Sequence, residues 1–335
     1  MKTKQTLKSA PDSQEHDAPN RCAGDNITHY DEYKSCTLCP RRCRVNRAAG
    51  ERGICGMTDE LTVARAALHM WEEPCISGEK GSGTVFFTGC PLHCVYCQNA
   101  EISCGAAGAG KVIDTSRLTA IFLELQEKGA NNINLVTAGH FAPHVADAIK
   151  RSKSRGLKIP IVYNSSGYES LNTLRMLDGL IDVYLPDLKY KDPAIAKRFS
   201  GAPDYFDVAT RAIDEMVRQT GTPVFAGFGC QVEEGIMLRG TIVRHLVLPG
   251  HTDDSRHVIS YLHERYGNDI YISIMNQYTP MPRVRGYEDL GRALFDYEYS
   301  EVVDFAVSIG VENGFIQEGG TVTESFIPPF SCEGV

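Results

Sequence analysis

Long apolar runs are missing from this 335-residue chain. No stretch of about 18 consecutive apolar residues occurs, so the sequence predicts no transmembrane helix. Three lysines stand among the first ten residues, but no apolar segment follows them, and a secretory signal is not expected. We therefore expect a cytoplasmic protein without a membrane partner.

An excess of positive charge is also missing, because the formal net charge is -8. A weakly acidic chain has no general attraction for a phosphate backbone, so nucleic acid is not an expected partner. Apolar residues make up 42% of the chain, which is enough for a sizeable core. The length fits one large catalytic domain with an appendage.

Cysteine, by contrast, is abundant, with twelve residues. Disulfides are disfavoured in the cytoplasm, so clustered cysteines indicate metal ligands. Seven of the twelve fall into two tight groups. Isolated cysteines are usually small buried apolar residues. That role is expected for the scattered ones, which are Cys22, Cys75, Cys104, Cys230 and Cys332.

From residue 84 onward, short β-branched or aromatic runs alternate with amphipathic stretches. This rhythm predicts six strands, each followed by a helix, and hence an α/β fold with a parallel sheet. Right-handed crossovers allow either an open doubly wound sheet or a barrel, and six units are short of the eight that close a full barrel. The predicted strands are Thr84–Thr88, Asn132–Thr137, Ile159–Asn164, Asp182–Pro186, Thr241–Leu248 and Asp269–Met275. The predicted helices are Ser116–Lys128, Pro143–Ser154, Glu169–Leu177, Val208–Thr220, Asp253–Tyr266 and Tyr287–Ser300.

The predicted domain organisation follows from composition. Residues 1–30 are polar and aperiodic, which is typical of a disordered tail. Residues 31–83 hold the first cysteine group and a connector. The strand–helix rhythm fills 84–310, and 311–335 form a C-terminal tail.

The sharpest motif is Cys90-Pro-Leu-His-Cys94-Val-Tyr-Cys97, which directly follows the first predicted strand and Gly89. Ligands bind at the carboxyl ends of parallel strands. Three thiolates in one short loop can hold a four-iron cubane and leave one iron open. Structural zinc normally takes four ligands. His93 lies inside the loop, where its ring would have to turn back to serve as the fourth.

The C-x3-C-x2-C spacing, with Tyr96 before the last cysteine, resembles the signature of the radical S-adenosylmethionine (SAM) superfamily. This resemblance makes Tyr96 a candidate cofactor contact. The stretch Gly81–Asn99 resembles pyruvate formate-lyase activating enzyme, and in particular uncharacterised activating-enzyme-like proteins with an N-terminal cysteine motif. The resemblance extends over roughly residues 31–310. It implies a partial (βα)6 TIM-like barrel with an N-terminal metal-binding extension.

The same resemblance implies the chemistry. A [4Fe–4S] cluster on Cys90, Cys94 and Cys97 would chelate the amino and carboxylate groups of SAM at its open iron. One electron, from a donor such as flavodoxin or ferredoxin, would then cleave SAM to methionine and a 5′-deoxyadenosyl radical. That radical would abstract hydrogen from the substrate, while the protein orients the cofactor and excludes water.

Two polar strand ends are candidates for SAM contacts. Relatives carry Gly-Gly-Glu-Pro after the second strand, where it binds the SAM amino group, but this chain has Thr137-Ala138-Gly139-His140. Thr137 or backbone carbonyls are the available substitutes. Asn164-Ser165 resembles the start of the activase run Asp-Thr-Asn-Gly and suits the ribose and carboxylate of SAM. The same residues equally suit a helix N-cap and turn.

Two further strand ends complete the candidate set. Asp187 and Lys189 match residues that neighbour the SAM carboxylate in relatives, and being two apart on a strand they face the same side. The alternative is an ion pair on the rim. The run from Pro249 to His257 resembles an activase pattern in which a histidine contacts SAM. His257 is therefore preferred over His251 for that role.

The first cysteine group is Cys36-Thr-Leu-Cys39-Pro-Arg-Arg-Cys43, followed after eleven residues by Cys55. Zinc and a second [4Fe–4S] cluster both accept four cysteines. C-x2-C-x3-C is not a common zinc-ribbon pairing, which favours the cluster. A cluster would relay electrons or clamp the N-terminal segment, whereas zinc would only clamp.

Three functions remain open at the level of sequence. The first is a radical SAM enzyme that acts on a protein or peptide, such as a glycyl-radical activase. The second is a radical SAM enzyme that modifies a small molecule or nucleoside. The third is a non-catalytic iron–sulfur or zinc scaffold, which predicts no SAM binding. A partial barrel with a lateral opening that admits a peptide loop favours the first.

Overall fold

The computed structural model describes residues 30–104, 109–226, 235–317 and 328–335. Almost all of the expected disordered tail, as well as Cys22 and Cys230, lies outside these ranges. Within them the chain forms an α/β fold around one mixed sheet. None of the described helices has the length and apolar character needed to cross a membrane.

Ten strands occur in the described ranges. They are β1 (Thr62–His69), β2 (Ser82–Phe87), β3 (Lys111–Val112), β4 (Ile133–Val136), β5 (Ile161–Ser165), β6 (Val183–Pro186), β7 (Val224–Phe225), β8 (Met237–Leu246), β9 (Tyr271–Met275) and β10 (Gly314–Ile316). Seven of them run parallel in the order β2-β4-β5-β6-β8-β9-β10. Strands β1 and β3 extend the sheet beside β2 in antiparallel fashion, and β7 pairs antiparallel with β8.

All of the described α-helices except the first, which lies between β1 and β2, belong to the six parallel crossovers. The α-helices are α1 (Pro74–Ser77), α2 (Ala100–Ser103), α3 (Thr115–Glu127), α4 (Ala142–Ser154), α5 (Leu171–Met176), α6 (Pro193–Ser200), α7 (Tyr205–Thr220), α8 (Thr252–Tyr266) and α9 (Asp296–Ser308). The strand order never reverses, and right-handed crossovers then leave the helices on one face of the sheet. A doubly wound sheet would instead need a point of reversal.

The alternation of side chains along the strands separates two cores. On β5, Ile161 and Tyr163 pack into the cluster shared with α3 and α4, whereas Val162 points to the other face. That inner face is filled by a smaller cluster, which Cys75 and Ile76 of α1 join from the connector. Strands covered on both faces are continuously apolar, which is why the sequence predicted them. The connector therefore closes the inner face of the sheet from below.

The predicted domain limits miss parts of the sheet. The supposed connector contains β1, whose alanine-rich sequence has low β propensity and gave no strand signal. Strand β10 lies beyond the predicted limit at residue 310, because a three-residue strand is too short to show a period. The C-terminal segment also docks on β1, where the Cys332 amide donates to the Ala64 carbonyl at 3.0 Å.

The last predicted helix, Tyr287–Ser300, is wrong for its first nine residues and overlaps the observed helix Asp296–Ser308 only in its last five. Turns occupy the first part, where the Gly291 amide donates to the Tyr287 carbonyl at 2.8 Å. The helix begins at Asp296, because the Glu298 carboxylate accepts from the Phe295 amide at 3.0 Å and caps its first turn. The other five predicted helices and all six predicted strands have counterparts in the structure.

The inner core generates a stability prediction. Ile76→Ala removes a fully buried side chain from α1 and should lower the free energy of unfolding by about 2–5 kcal/mol. The matched control is Ile316→Ala at the sheet edge, where the side chain is 57% exposed, and its cost should stay below about 0.5 kcal/mol. Urea unfolding measures both. Equal losses would show that the connector does not close the inner core.

Candidate functional site

The loop Cys90–Cys97 lies at the carboxyl end of β2. Gly89 begins it with φ of +87°, and a side chain there would collide with Met57 and approach the Cys55 carbonyl oxygen to 2.7 Å. Glycine is required at this turn because it combines a left-handed backbone with a close approach of another loop. The Gly89 amide donates to the Ile102 carbonyl at 2.8 Å, which anchors the loop on α2.

Each of the three sulfurs in this loop accepts a hydrogen bond. The Leu92 amide donates to Cys90 Sγ at 3.5 Å, Ser200 Oγ to Cys94 Sγ at 3.1 Å, and Ser103 Oγ to Cys97 Sγ at 3.3 Å. Burial, followed by the neighbouring thiols of Cys94 and Cys97, raises the pKa of Cys90 to about 12. All three cysteines also belong to one packed cluster of side chains. The donors stabilise thiolates, so the loop fits a cluster held by three cysteines.

Two other side chains near this loop that could bind a metal are engaged elsewhere. His93, at φ of +56°, places Nε2 2.6 Å from the Ile54 carbonyl oxygen, as the sequence argument against its ligation requires. Cys104 accepts from Arg283 Nη1 at 2.5 Å and is not part of the cavity lining. The described residues therefore bring three cysteines, and not four, to this end of β2.

A cavity of about 500 Å³ opens beside the three cysteines. Its walls come from the carboxyl ends of the parallel strands and its floor from the connector. The lining includes all but one of the residues predicted to contact SAM, namely Tyr96, Thr137, Asn164, Ser165, Asp187 and Lys189. Tyr96 is largely buried beneath the cavity surface. Its hydroxyl hydrogen-bonds to that of Tyr190 at 2.6 Å, and the residue is only 5% exposed.

His257 is the exception. It is exposed on α8 and does not line the cavity. That helix packs through Val258 and Ile259, which turns the neighbouring position 257 toward solvent. His251 does not replace it, because its Nε2 is bound to Asp289 Oδ2 at 2.9 Å. The structure thus brings neither histidine to the cavity. The resemblance to the activase pattern did not predict which face of α8 turns toward the core.

The second strand end has an unusual backbone. Thr137 adopts φ of +59°, a strained left-handed conformation for a β-branched residue, and its amide donates to the Asn164 carbonyl at 2.9 Å. The glutamate that relatives carry at this strand end is absent here, and the glutamates of the lining, Glu72 and Glu73, come from the connector. Glu169 is near Gly139 but packs with Tyr163 on the helix-facing side, where burial raises its pKa to about 7.

A network of charges crosses the cavity wall. Lys189 Nζ donates to Asp187 Oδ2 at 2.6 Å, and Arg244 Nε donates to Asp187 Oδ1 at 2.9 Å. Arg244 also donates to Asn164 Oδ1 at 2.6 Å and lies 3.3 Å from Glu72 Oε2. Burial opposes ionisation of Asp187, but Lys189 and Arg244 outweigh it and hold the pKa of Asp187 below its usual range. The expected pair is therefore part of a larger network within the site.

Sequence reasoning missed three charged residues of this cavity. Arg244 lies in the middle of the apolar strand β8, and a charge in such a strand was a signal that could have identified it. Glu72 and Glu73 lie in the connector, where neither periodicity nor a motif marks them. They reach the cavity only because the connector folds back beneath the sheet.

The first cysteine group lies next to the loop Cys90–Cys97 and forms a separate candidate metal site. Cys36, Cys39 and Cys55 are buried, and a side chain at Gly53 would lie 3.3 Å from Cys55 Sγ and 3.4 Å from Cys43 Sγ. Burial, with a further contribution from the Cys55 and Cys36 thiols, raises the pKa of Cys39 to about 12. Within the described ranges, no group of three or more histidine, cysteine, aspartate and glutamate side chains is arranged to hold a single metal ion.

A buried arginine accompanies these thiols. Arg47 is fully buried, and its guanidinium donates to the Thr58 and His140 carbonyls at 2.6 Å each and to Cys36 Sγ at 3.7 Å. The Tyr33 ring lies 4.6 Å from it. No carboxylate of the described residues forms an ion pair with Arg47. A buried cation needs a counter-charge, and thiolates of the neighbouring cysteines are the groups in place to supply it.

The fold and the site define an α/β protein with a three-cysteine loop beside a cavity at the carboxyl ends of its parallel strands, whose lining includes several charged side chains. Comparison with family models matches residues 84–262 to the radical SAM superfamily. The chain belongs to this superfamily, whose members are enzymes, and membership implies a [4Fe–4S] cluster and SAM.

Comparisons with individual proteins gave relatives of low sequence identity. The chain is 28% identical over 285 residues to an uncharacterized protein of Methanocaldococcus jannaschii, a match that spans 82% of this chain and 75% of that protein. Solved structures of Streptococcus suis SuiB bound to precursor peptide SuiA and to S-adenosylmethionine match with TM-scores of 0.45 and 0.46 and 12% and 11% identity. Each alignment covers 69% of this chain and under half of SuiB, 47% and 49%.

The donor to Cys94 generates a prediction for the cluster. Ser200→Ala removes the 3.1 Å hydrogen bond to Cys94 Sγ and leaves the thiolate less stabilised in the reduced state. We expect the reduction potential of the cluster to fall by on the order of tens of millivolts. Anaerobic redox titration followed by electron paramagnetic resonance measures it. Ser154→Ala, on the exposed end of α4, is the control, and an unchanged potential in both variants would contradict the assignment.

Proposed function

We propose that this chain is a radical SAM enzyme that reductively cleaves SAM at a [4Fe–4S] cluster held by Cys90, Cys94 and Cys97. Its substrate is a protein or peptide from which hydrogen is abstracted, in the manner of glycyl-radical activating enzymes. The observation that carries the proposal is one continuous cavity, which extends from the three thiols to β10, an edge strand of the sheet in the described part of the chain. Modification of a small molecule or nucleoside and a non-catalytic scaffold are the alternatives.

The open edge supports an extended substrate. Within the described ranges, the sheet ends at β10 on one side and at β1 and β3 on the other, and the two ends do not pair with each other, so the sheet is not closed. Trp71 and Ile316 line the cavity and are 56% and 57% exposed, so the cavity reaches solvent between the connector and β10. A loop of a larger molecule can enter there, whereas a site for a small molecule alone is usually more enclosed. The uninterrupted strand order also supports a partial (βα)6 TIM-like barrel.

The polar groups of the cavity suit SAM. Lys189 supplies an ammonium group for the SAM carboxylate, and Asp187 holds that ammonium in place. Asn164 and Ser165 present amide and hydroxyl groups to the ribose, and Thr137 places its strained backbone beside them. When bound, the cluster and SAM together supply one-electron cleavage to a 5′-deoxyadenosyl radical. The buried strand ends keep water from the reacting atoms.

We assign the first cysteine group, Cys36, Cys39, Cys43 and Cys55, to an auxiliary [4Fe–4S] cluster. The buried guanidinium of Arg47 supports an anionic centre here, because deprotonated thiolates would balance its charge. Metal binding deprotonates thiols, which overcomes the raised pKa of the apo site. Four thiolates bound to zinc would also balance the charge of Arg47. The preference for an iron–sulfur cluster over zinc therefore rests on the spacing of the cysteines and on the position of this group beside the loop Cys90–Cys97.

The two cysteine loops are in direct contact. The His93 ring contacts the Ile54 carbonyl, and Gly89 abuts the Cys55 carbonyl. Arg41 donates to the Pro91 carbonyl at 2.9 Å and to the Ser200 carbonyl at 2.9 Å, and Ser200 in turn contacts Cys94. A redox centre at the first group would lie next to the SAM cluster, where it can pass electrons from a donor such as flavodoxin or ferredoxin.

The proposed reaction predicts a product. Anaerobically reconstituted protein given SAM and dithionite should form 5′-deoxyadenosine, and Cys94→Ala should abolish its formation because the cluster loses one of three ligands. Chromatography with mass detection measures the nucleoside. Cys332→Ala, which changes a cysteine outside both groups, should retain it. Formation of 5′-deoxyadenosine by Cys94→Ala at the wild-type rate would exclude the assigned ligands.

The auxiliary centre predicts the metal content. Cys39→Ala should lose about half of the iron and sulfide of the reconstituted chain, while the signal of the Cys90 cluster persists. Elemental analysis and Mössbauer spectroscopy measure the two. Unchanged iron with loss of one zinc per chain would assign the first group to zinc and leave the radical SAM site unaffected.

A further inference from the structure

The cavity floor contains a carboxylate without a counter-charge of its own. Glu73 is 8% exposed and lines the cavity, and in the described part of the chain its Oε2 has no hydrogen-bond partner. Its other contact is the Ser273 hydroxyl on β9. A buried polar atom left unsatisfied in a ligand cavity indicates a partner that arrives with the ligand.

The neighbouring cations are already engaged. Arg244 donates to Asp187, Asn164 and Glu72, and Lys189 donates to Asp187. The cavity lining therefore holds three carboxylates, Glu72, Glu73 and Asp187, against two cations. Burial raises the pKa of Glu73, Arg244 opposes the rise, and Glu72 adds to it. A cation placed against Glu73 would favour its ionised form and supply the partner that its Oε2 lacks among the described residues.

The mouth of the cavity adds an aromatic face. Trp71 is two residues before Glu73, lines the cavity and is 56% exposed. Organic cations bind over indole rings as well as to carboxylates. Glu72 is less suited to a ligand, because it already accepts from Asn134 Nδ2 at 2.9 Å and pairs with Arg244.

We propose that the cavity floor selects substrates through a positively charged amine or guanidinium group, which Glu73 binds with Trp71 at the mouth. This inference rests on the proposed function and specifies the substrate class of that site. The cation is the side chain of a lysine or arginine in a peptide, and a free diamine presents the same chemistry. Glu73 interacts with Ser273 on β9, so the bound cation would lie beside that strand.

The single tryptophan of the chain makes the test specific to this site. Trp71 fluorescence is titrated in the reconstituted protein with SAM, with N-acetyl-lysine amide, N-acetyl-arginine amide, N-acetyl-norleucine amide, N-acetyl-glutamate amide and 1,5-diaminopentane as probes. The lysine and arginine probes should bind roughly tenfold to a hundredfold more tightly than the norleucine and glutamate probes. Tighter binding of the diamine than of both amino-acid probes would assign the site to free amines and contradict the peptide source.

Substitutions of Glu73 distinguish the effect of its charge on probe binding from the effect of its size. Glu73→Gln keeps the volume and should abolish the preference for lysine over norleucine, whereas Glu73→Asp should retain it in part. Glu79→Gln, with an exposed carboxylate of the same connector, is the matched control and should keep the full preference. Thermal unfolding of Glu73→Gln should occur at or above the wild-type temperature, because a buried unpaired carboxylate is removed.

Several outcomes would overturn the proposal. Equal binding of the lysine and norleucine probes, no binding of any probe, or an unchanged preference in Glu73→Gln would each do so. A loss of SAM affinity alone in Glu73→Gln would assign this carboxylate to the cofactor. Formation of 5′-deoxyadenosine by the same wild-type preparation is measured separately. Its absence defeats the proposed function, whereas its presence without a preference for cations defeats only this inference.

Discussion

The convergence of three thiols in one short loop at the end of β2 determines where every other part of the site must lie. Gly89 lets the loop turn under the Cys55 carbonyl, and each sulfur receives a hydrogen bond from a different element. His93 and Cys104, the nearest further donors, are occupied elsewhere. Because parallel strands end at one edge of the sheet, the polar residues of the next four strands face this loop across one cavity.

The connector has a structural role that links the two cysteine groups to the substrate side. It crosses beneath the sheet, closes the inner core with α1 and supplies Glu72 and Glu73 to the cavity. Farther toward the N-terminus, the first cysteine group packs on the loop Cys90–Cys97 through Arg41 and Ile54. The segment before residue 84 is therefore part of the site on two sides, and not an appendage tethered to it.

The parallel strands and the three-cysteine loop could be predicted because their signals are local. Buried strands appear as continuous apolar runs, and the cysteine spacing is fixed within eight residues. Strand β1 lacked such a signal, since it is rich in alanine and is a strand only because it pairs with β2. Glu72 meets Arg244 across 172 residues of sequence, which no local pattern encodes. His257 was chosen from a motif, but helix packing decided its direction.

The central claim is that one iron of the cluster on Cys90, Cys94 and Cys97 remains open and binds SAM. Electron paramagnetic resonance of the reduced cluster, recorded with and without SAM in the Cys39→Ala background, tests it most directly. SAM should change the spectrum, and nitrogen-15 in its amino group should produce hyperfine coupling to the cluster. A spectrum indifferent to SAM, or zinc in this loop after anaerobic purification, would contradict the account.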